Sequence, residues 1–298
     1  MISAEDQATE HVHCPQCGSD DPVRVVVSEP NEERVQGRFS YVRCRRCALV
    51  YANPRLVESA LNAAYAACAP PGTSAEPANA GVFTRWWRHT TQRQVVGDWV
   101  KEGPVLDVGC HTGDLLLALR QRGLEVSGIE SSDDGVRVCR ERGLTVTQGL
   151  VEDVPLPPDG FRTILMSHVL EHVRDPLAAL RKLKAALAPG GRIVVAVPNC
   201  GGAVARVFGP YWHGWDPPYH LIQFDPHSLR NILSAAGFVV THVQTRGLPE
   251  DVTRSLSKLA RRPVRSLWAR LALLPGSLAL GRLALGGEVC AVAERPAT

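Results

Sequence analysis

The sequence predicts an α/β protein: a mostly parallel sheet covered by helices on both faces, with a small N-terminal unit built around four cysteines. Two observations predict this. From Pro104 onward, short apolar runs alternate with helix-like segments, the pattern of strands joined by crossover helices. Upstream, CPQC at Cys14 and Cys17 is followed, after 26 residues, by CRRC at Cys44 and Cys47.

The chain has 298 residues, 45% apolar and 21% charged, enough for one large domain and a small one. The N-terminal MISAEDQATEHVHC is polar and acidic, without an apolar run. The stretch LALLPGSLALGRLALGG is broken by Pro275, Gly276 and Arg282, so it cannot supply the ~20 unbroken apolar residues of a membrane span. The protein reads as cytoplasmic. Its net charge of +3 is concentrated: Arg254, Lys258, Arg261, Arg262, Arg265, Arg270 and Arg282 lie in a stretch with no acid, and the rest of the chain carries −4. So local a charge argues against nucleic acid as the partner. Nine cysteines, four in CxxC pairs and five scattered, argue for a metal site in a reducing compartment rather than a disulfide framework.

In chain order, residues 1–55 form one unit, with the β-rich VRVVV between the cysteine pairs. Residues 56–100 read as a helical linker: a weak helix from Leu56 to Ala67, a mobile Pro/Gly/Ala/Ser loop at 69–81, and a helix resuming near Phe83 that aligns Val95, Val96, Trp99 and Val100. Residues 101–298 form the main domain. Its strands are VLDVG, EVSGIE, LTVTQ, FRTILMS and GRIVVAVPN, with helices over 114–122, 133–142 and 176–187. DPHSL reads as an N-cap for a helix from Leu229 to Ala236, and GFVVTHVQTRG and GGEVCAVAERP as two further strands.

Each CxxC pair can place two thiolates on one metal. Cys14, Cys17, Cys44 and Cys47 together complete a tetrahedral site of the kind that holds structural zinc. The spacing exceeds the compact template, so a β-hairpin is expected to fill it. A closed four-thiolate site leaves no position for water, which makes its role structural.

VLDVGCHTG turns from strand to helix through glycines. Gly109 lets the backbone pass close to a ligand, and Gly113 lets the next helix pack near. Glu130, 17 residues after Gly113 at the end of the second strand, can accept both hydroxyls of a ribose. A dinucleotide would favour GxGxxG and a phosphate seat on the helix N-terminus; GCHTG disfavours it.

With these residues in order, the chain resembles class I S-adenosylmethionine-dependent methyltransferases. VLDVGCHTG is similar to their first motif, LDxGCGTG. Glu130 matches their ribose-binding acid. GLVEDVPLP resembles the third motif, GDAEDLPF, which lines the adenine. SHVLEHVRDP and LAPGGRIVVAVPN match the segments around the fourth and fifth strands. The resemblance spans about residues 100–247 and the final strand. It implies a Rossmann-like seven-stranded class I methyltransferase sheet and S-adenosylmethionine as cofactor. It also implies a cofactor site formed by Asp107, Gly109, Cys110, His111 and Gly113 at the first bend, by Glu130 and Ser131 after the second strand, by Val151 and Glu152 at the third motif, and by Ser167 and His168 after the fourth strand. Three positions depart from the pattern: His111 stands for the middle glycine, Leu150 for an acid, and Arg162 for an aspartate.

In HVLEH, His168, Glu171 and His172 share one face if helical, and WHGWDPPYHLIQF brings His213 and His220 toward the same end of the sheet. Three readings stay open. A histidine among His168, His172 and His220 is a general base, with Glu171 beside it. Alternatively, His168, Glu171, His172 and His220 hold a divalent metal, as the resemblance to methyltransferases with an ExxEH segment implies. Or the segment serves packing. Tyr211, Trp212, Trp215 and Tyr219 form either a roof over an acceptor or a core cluster. The combination of zinc unit and methyltransferase domain resembles enzymes of bacterial sugar and natural-product pathways. The expected reaction moves a methyl group to a small-molecule acceptor: a sugar, a natural product or a lipid-linked intermediate. An RNA methyltransferase gripping RNA through CRRC and Arg43, and a non-catalytic cofactor-binding partner protein, are the alternatives. Residues 251–285 form a basic and apolar helical insertion, in which Val264, Leu267, Trp268 and Leu271 share a face; through 254–282 it could meet a membrane surface, a lipid-linked substrate or a second subunit, or serve as an ordinary covering helix.

Overall fold

The computed structural model describes residues 2–3, 8–31, 35–68, 99–247, 249–262 and 267–297. The loop at 69–81, the helix near Phe83, Val264, and the side chains of Leu267, Trp268 and Leu271 lie outside this description. In the N-terminal unit, β1 (Pro22–Ser28), β2 (Phe39–Cys44) and β3 (Val50–Ala52) form an antiparallel meander. The β1–β2 pair is the hairpin expected between the cysteine pairs. Helix α1 (Glu58–Cys68) follows.

The large sheet contains β4 (Val105–Val108), β5 (Val126–Glu130), β6 (Val146–Gln148), β7 (Phe161–Ser167), β8 (Leu187–Pro198), β10 (Val239–Arg246) and β11 (Glu288–Glu294). Their spatial order is β6-β5-β4-β7-β8-β11-β10. The first five are parallel, and β11 runs antiparallel to both its neighbours. This is the seven-stranded sheet that the resemblance implies. Its central strands β4, β7, β8 and β11 are buried on both faces, so they read as largely apolar runs. Alternate residues choose opposite sides. Ile164, Met166, Ile193 and Val195 share one cluster with Leu180, Leu183, Leu229 and Ile232. Leu165, Val194 and Ala196 share another with Leu115 and Leu119. Each of these buried leucine, isoleucine, valine and methionine side chains contributes roughly 1.5–3 kcal/mol.

The helices begin where the sequence supplies caps. Ser132 caps α3 (Asp133–Glu141), Asp175 caps α4 (Pro176–Ala186), and Asp225 with Ser228 forms a capping box on α6 (Pro226–Ala235). Helix α2 (Asp114–Gln121) differs: it starts at left-handed Gly113 with no side-chain cap. A short helix, α5 (Ala203–Phe208), precedes the aromatic loop.

Two features reach across the chain. A fourth strand of the small sheet, β9 (Ile222–Gln223), comes from this aromatic loop and pairs with β3. Between β10 and β11 lie α7 (Pro249–Ala260) and α8 (Leu267–Arg282). Helix α7 buries Asp251, Thr253 and Ser255 and leaves Leu256 and Leu259 exposed. Among the described residues no helix is long and apolar enough to cross a membrane.

Candidate functional site

Parallel register brings the ends of β4, β5, β7 and β8 to one edge of the sheet, where ligands meet folds of this kind. At β4 the chain turns through Gly109 (φ 73°), His111 (φ 49°) and Gly113 (φ 77°). A Cβ at Gly109 would stand 2.5 Å from a Val169 methyl, and one at Gly113 would stand 2.3 Å from a Leu144 methyl. Both glycines are therefore required by close approach as well as by φ. His111 explains its own departure from the pattern: the position is left-handed, which glycine favours and histidine tolerates at a cost of about 1–2 kcal/mol. Its side chain is exposed, with Nδ1 3.4 Å from the Thr112 hydroxyl. Cys110 turns its thiol into a buried cluster with Leu116 and Cys139, leaving its backbone at the bend.

Glu130 is buried at the tip of β5. Its carboxylate accepts from the backbone amides of His111 and Ser132, both at 2.8 Å. This ties the first bend to the start of α3, while Ser131 beside it is exposed. Asp107 is also buried; burial first, and then the Glu130 charge, push its carboxyl up to about 7. Ser167 is half-buried at the end of β7; Val151 is buried and Glu152 half-buried in the turn after β6. Leu150, where an acid is usual, is exposed. Arg162 lies at the opposite edge of the sheet, where it pairs with Glu102 at 3.0 Å and donates to the Pro189 carbonyl. A free surface and a local acid thus account for the second and third departures.

HVLEH is not an α-helix. His168 has φ 55°, and Leu170–His172 is a single 3-10 turn. The helical-face geometry expected for His168, Glu171 and His172 therefore does not form. Ligand atoms of Glu171, His172 and His220 instead converge within 4.8 Å of one another, and His168 is not one of this group. The positive φ turns His168 toward Glu288, 3.0 Å away, with Glu171 Oε1 on its other side at 3.4 Å. The His168 ring is half exposed; burial works against its charge, but the two carboxylates raise it to about 10.

Glu171 is buried; its Oε1 faces His168 Nδ1 at 3.4 Å, and its Oε2 has no hydrogen-bond partner. Burial opposes its charge, yet His168 and the neighbouring histidines hold its carboxyl down at about 2. His172 Nδ1 lies 3.1 Å from the Tyr219 carbonyl, and His220 Nδ1 2.8 Å from the Gly214 carbonyl. A carbonyl can only accept, so both rings carry their proton on Nδ1 and a lone pair on Nε2. Burial lowers both histidines, His172 to about 4 with the help of His220. Two neutral imidazoles fixed through backbone carbonyls, beside a carboxylate with one oxygen free of hydrogen bonds, could hold a divalent cation or take a proton from an acceptor.

Several residues here escaped sequence reasoning. Tyr65 of α1 places its hydroxyl 3.0 Å from His172 Nδ1 and stacks on Tyr219 at 4.8 Å; its alanine-rich helix carries no sign of this. Glu288 and Arg246 pair at 3.1 Å behind His168. A lone acid opening the apolar strand GGEVCAVAE was the available signal for Glu288. His213 lies 3.6 Å from buried Asp251. Trp212 and Trp215 are buried with Tyr41, Val50 and Ala52 of the small sheet and Val204 and Ala205 of α5, so they are core, while Tyr211 is exposed.

At the N-terminus, Cys14 and Cys47 sulfurs lie 3.4 Å apart and those of Cys17 and Cys44 3.6 Å apart. All four fall within 4.8 Å of one another. Zinc–sulfur bonds of about 2.3 Å in a tetrahedron place sulfurs about 3.8 Å apart, close to this spacing. The two turns repeat each other: Gly18 N–H donates to Cys14 O, and Ala48 N–H to Cys44 O, each at 2.9 Å. Burial pushes Cys47 up to about 11. At Cys44 the same push is outweighed by the amides of Cys47 and Arg46, which bring it to about 7.

A family model described as a methyltransferase domain matches residues 87–243. A ubiquinone biosynthesis O-methyltransferase of Aeromonas salmonicida is 28% identical over 139 residues, covering 40% of this chain and 58% of that protein. The chain thus spans under two thirds of the length of this relative. Among solved structures, S-adenosylmethionine-dependent methyltransferases of Thermotoga maritima and Archaeoglobus fulgidus both superpose with TM-score 0.52. The first is 19% identical over 72% of this chain and 94% of its own; the second is 21% identical over 70% and 94%. These two likenesses establish the fold.

Proposed function

The chain belongs to the methyltransferase-domain family, and on that premise we propose that it moves a methyl group from S-adenosylmethionine to a hydroxyl of a small molecule. One observation carries this reading: Val169 packs against Gly109, so the glycine bend with Glu130 and the Glu171–His172–His220 trio share one edge of the sheet. The cofactor supplies an electrophilic methyl on a sulfonium. The residues at the bend fit it. Glu130 offers lone pairs to ribose hydroxyls beside two fixed amides, Gly109 and Gly113 let the bend close tightly against Val169 and Leu144, and the uncapped amides of α2 suit a carboxylate. On the acceptor side, His172 or His220 takes the hydroxyl proton at Nε2 while Nδ1 stays tied to its carbonyl. In this reading residues 1–55 are a structural zinc unit, 56–100 a connector and 101–298 the methyltransferase domain.

A second reading of the trio is favoured by the Glu171 carboxylate, whose Oε2 has no hydrogen-bond partner. Glu171, His172 and His220 would hold a divalent cation that lowers the pKa of the acceptor hydroxyl. Their mixed nitrogen and oxygen donors suit zinc, manganese or iron better than magnesium.

Three outcomes test these assignments. Glu130→Ala should weaken S-adenosylhomocysteine binding by about 1–3 kcal/mol, the scale of one lost buried polar partner; unchanged calorimetric affinity removes the ribose assignment. His172→Ala or His220→Ala should cut methyl transfer about 100-fold or more, with cofactor affinity retained. Turnover is read as S-adenosylhomocysteine release over a panel of hydroxylated acceptors, and full activity in both variants returns the trio to a packing role. Activity lost on chelation and restored by a single divalent metal would favour the cation over the general base.

A further inference from the structure

The acceptor-side trio is held in place from the N-terminal unit. Leu221 is hydrogen-bonded in both directions: its N–H donates to the Glu171 carbonyl, and its carbonyl accepts from Ala52 of β3, each at 2.8 Å. One residue earlier, the His220 carbonyl accepts from the Tyr41 hydroxyl at 2.8 Å. The same hydroxyl lies 2.6 Å from the Trp215 carbonyl. Having one proton, it shares that proton between the two ends of the turn that presents the His220 ring. Tyr41 is fully buried, and its ring stacks on Trp215 at 5.0 Å. It sits on β2, three residues before Cys44. Gln223 grips the same turn from β9, donating to the Gly214 and Trp215 carbonyls, and Gly214 O is the acceptor that fixes His220 Nδ1.

We propose that Tyr41 is a positioning residue for the acceptor site: its buried hydroxyl clamps the turn from Trp215 to His220, so that His220 keeps one tautomer and one orientation against Glu171 and His172. The proposal deepens the methyltransferase reading and rests on it. Tyr41 touches none of the three side chains of the trio; it acts through the backbone that carries one of them. In a hydrogen-bonded network of this kind, a donor removed from a buried carbonyl leaves that carbonyl to find another partner, and the turn moves to supply one. The four-cysteine unit thereby becomes part of the acceptor site.

The test uses the full chain with Tyr41→Phe, which keeps the ring and removes the hydroxyl. In protein with nitrogen-15 histidine, long-range proton–nitrogen spectra read the tautomer of each imidazole. The wild type should show His172 and His220 protonated at Nδ1. In Tyr41→Phe, His220 should lose that single pattern and average between tautomers, with His111 and His242 unchanged. Affinity for S-adenosylhomocysteine should stay within about twofold of the wild type, since nothing at the glycine bend depends on Tyr41. A merely structural tyrosine would lower the melting temperature and leave the His220 signal alone. If Tyr41→Phe does not fold, Gln223→Met loosens the same turn from the other side and should produce the same His220 change. A His220 that keeps its wild-type signal in whichever variant folds overturns the proposal. Failure of the wild type to bind S-adenosylhomocysteine sinks the methyltransferase reading instead, and is seen before any variant is made.

Discussion

Stripping the metal expected at Cys14, Cys17, Cys44 and Cys47, by a strong chelator or by Cys17→Ser, should unfold the small sheet and release β9 with it. Structural zinc sites of this type contribute an apparent 10–16 kcal/mol, roughly, to folding. A whole domain is stable by only about 5–15 kcal/mol, so no other single group in the N-terminal unit approaches that effect. Its own apolar surface is small. Strand β1 leaves Val23 and Val25 exposed, and the buried side chains Phe39, Val42 and Leu49 belong to a cluster that continues into Leu170 and Leu221 of the large domain. Without the metal, the Tyr41–Trp212–Trp215 seam opens to water. Tryptophan emission should shift to the red, and four more thiols should react per chain after chelation, or three in Cys17→Ser. Cofactor binding should survive, because Glu130, Gly109 and Gly113 lie on strands and turns of the large sheet. Elemental analysis should find zinc at one per chain at least. A metal-free protein with unchanged emission and far-ultraviolet dichroism would show that the four sulfurs have no structural metal to lose.

Local pattern made the large sheet legible. VLDVG, FRTILMS and GRIVVAVPN are runs buried on both faces, bounded by turn residues, and all three are strands at those places. The glycine bend was readable because φ and close approach leave few alternatives to glycine, and the cysteine cluster because two equally spaced CxxC turns bring four sulfurs within 4.8 Å of one another. Pairings that join distant parts of the chain were not readable. Strand β9 is two residues long, has no period of its own, and owes its conformation to β3 across about 170 residues of chain. HVLEH has the spacing of a helical face, but His168 enters the left-handed region to reach Glu288, a residue 120 positions away. Tyr65 reaches His172 for the same kind of reason: tertiary contact places it, and an alanine-rich helix announces nothing. Trp212 and Trp215 offered two readings that composition could not separate; burial against Tyr41 separates them.

Asp107→Asn should change how stability depends on pH by about 4 kcal/mol between pH 4 and pH 8. In the folded chain the Asp107 carboxyl is raised from 3.8 to about 7. Between those values the unfolded chain has lost a proton that the folded chain still holds, so folding becomes less favourable as pH rises. Each unit of difference is worth about 1.4 kcal/mol, and a shift of roughly three units gives the figure above. The sign is opposite to that of a salt-bridged carboxylate such as Glu171, whose contribution is present above its unfolded value and lost as pH falls toward about 2. Asparagine cannot ionise, so the variant should gain on the wild type as pH rises. Asp251, also raised to about 7 by burial, is present in both proteins and cancels in the comparison. Urea melts at the two pH values, without cofactor, read the difference directly; parallel curves would mean that Asp107 is ionised in the folded chain at neutral pH. A buried acid that weakens its own fold at pH 8 is tolerated where a ligand repays the charge. S-adenosylhomocysteine carries an ammonium group, and a cation bound beside Asp107 draws the carboxyl back toward its ordinary value. Saturating the protein with that ligand should therefore narrow the gap between wild type and Asp107→Asn at pH 8. A gap that stays the same width would place the ammonium elsewhere in the site.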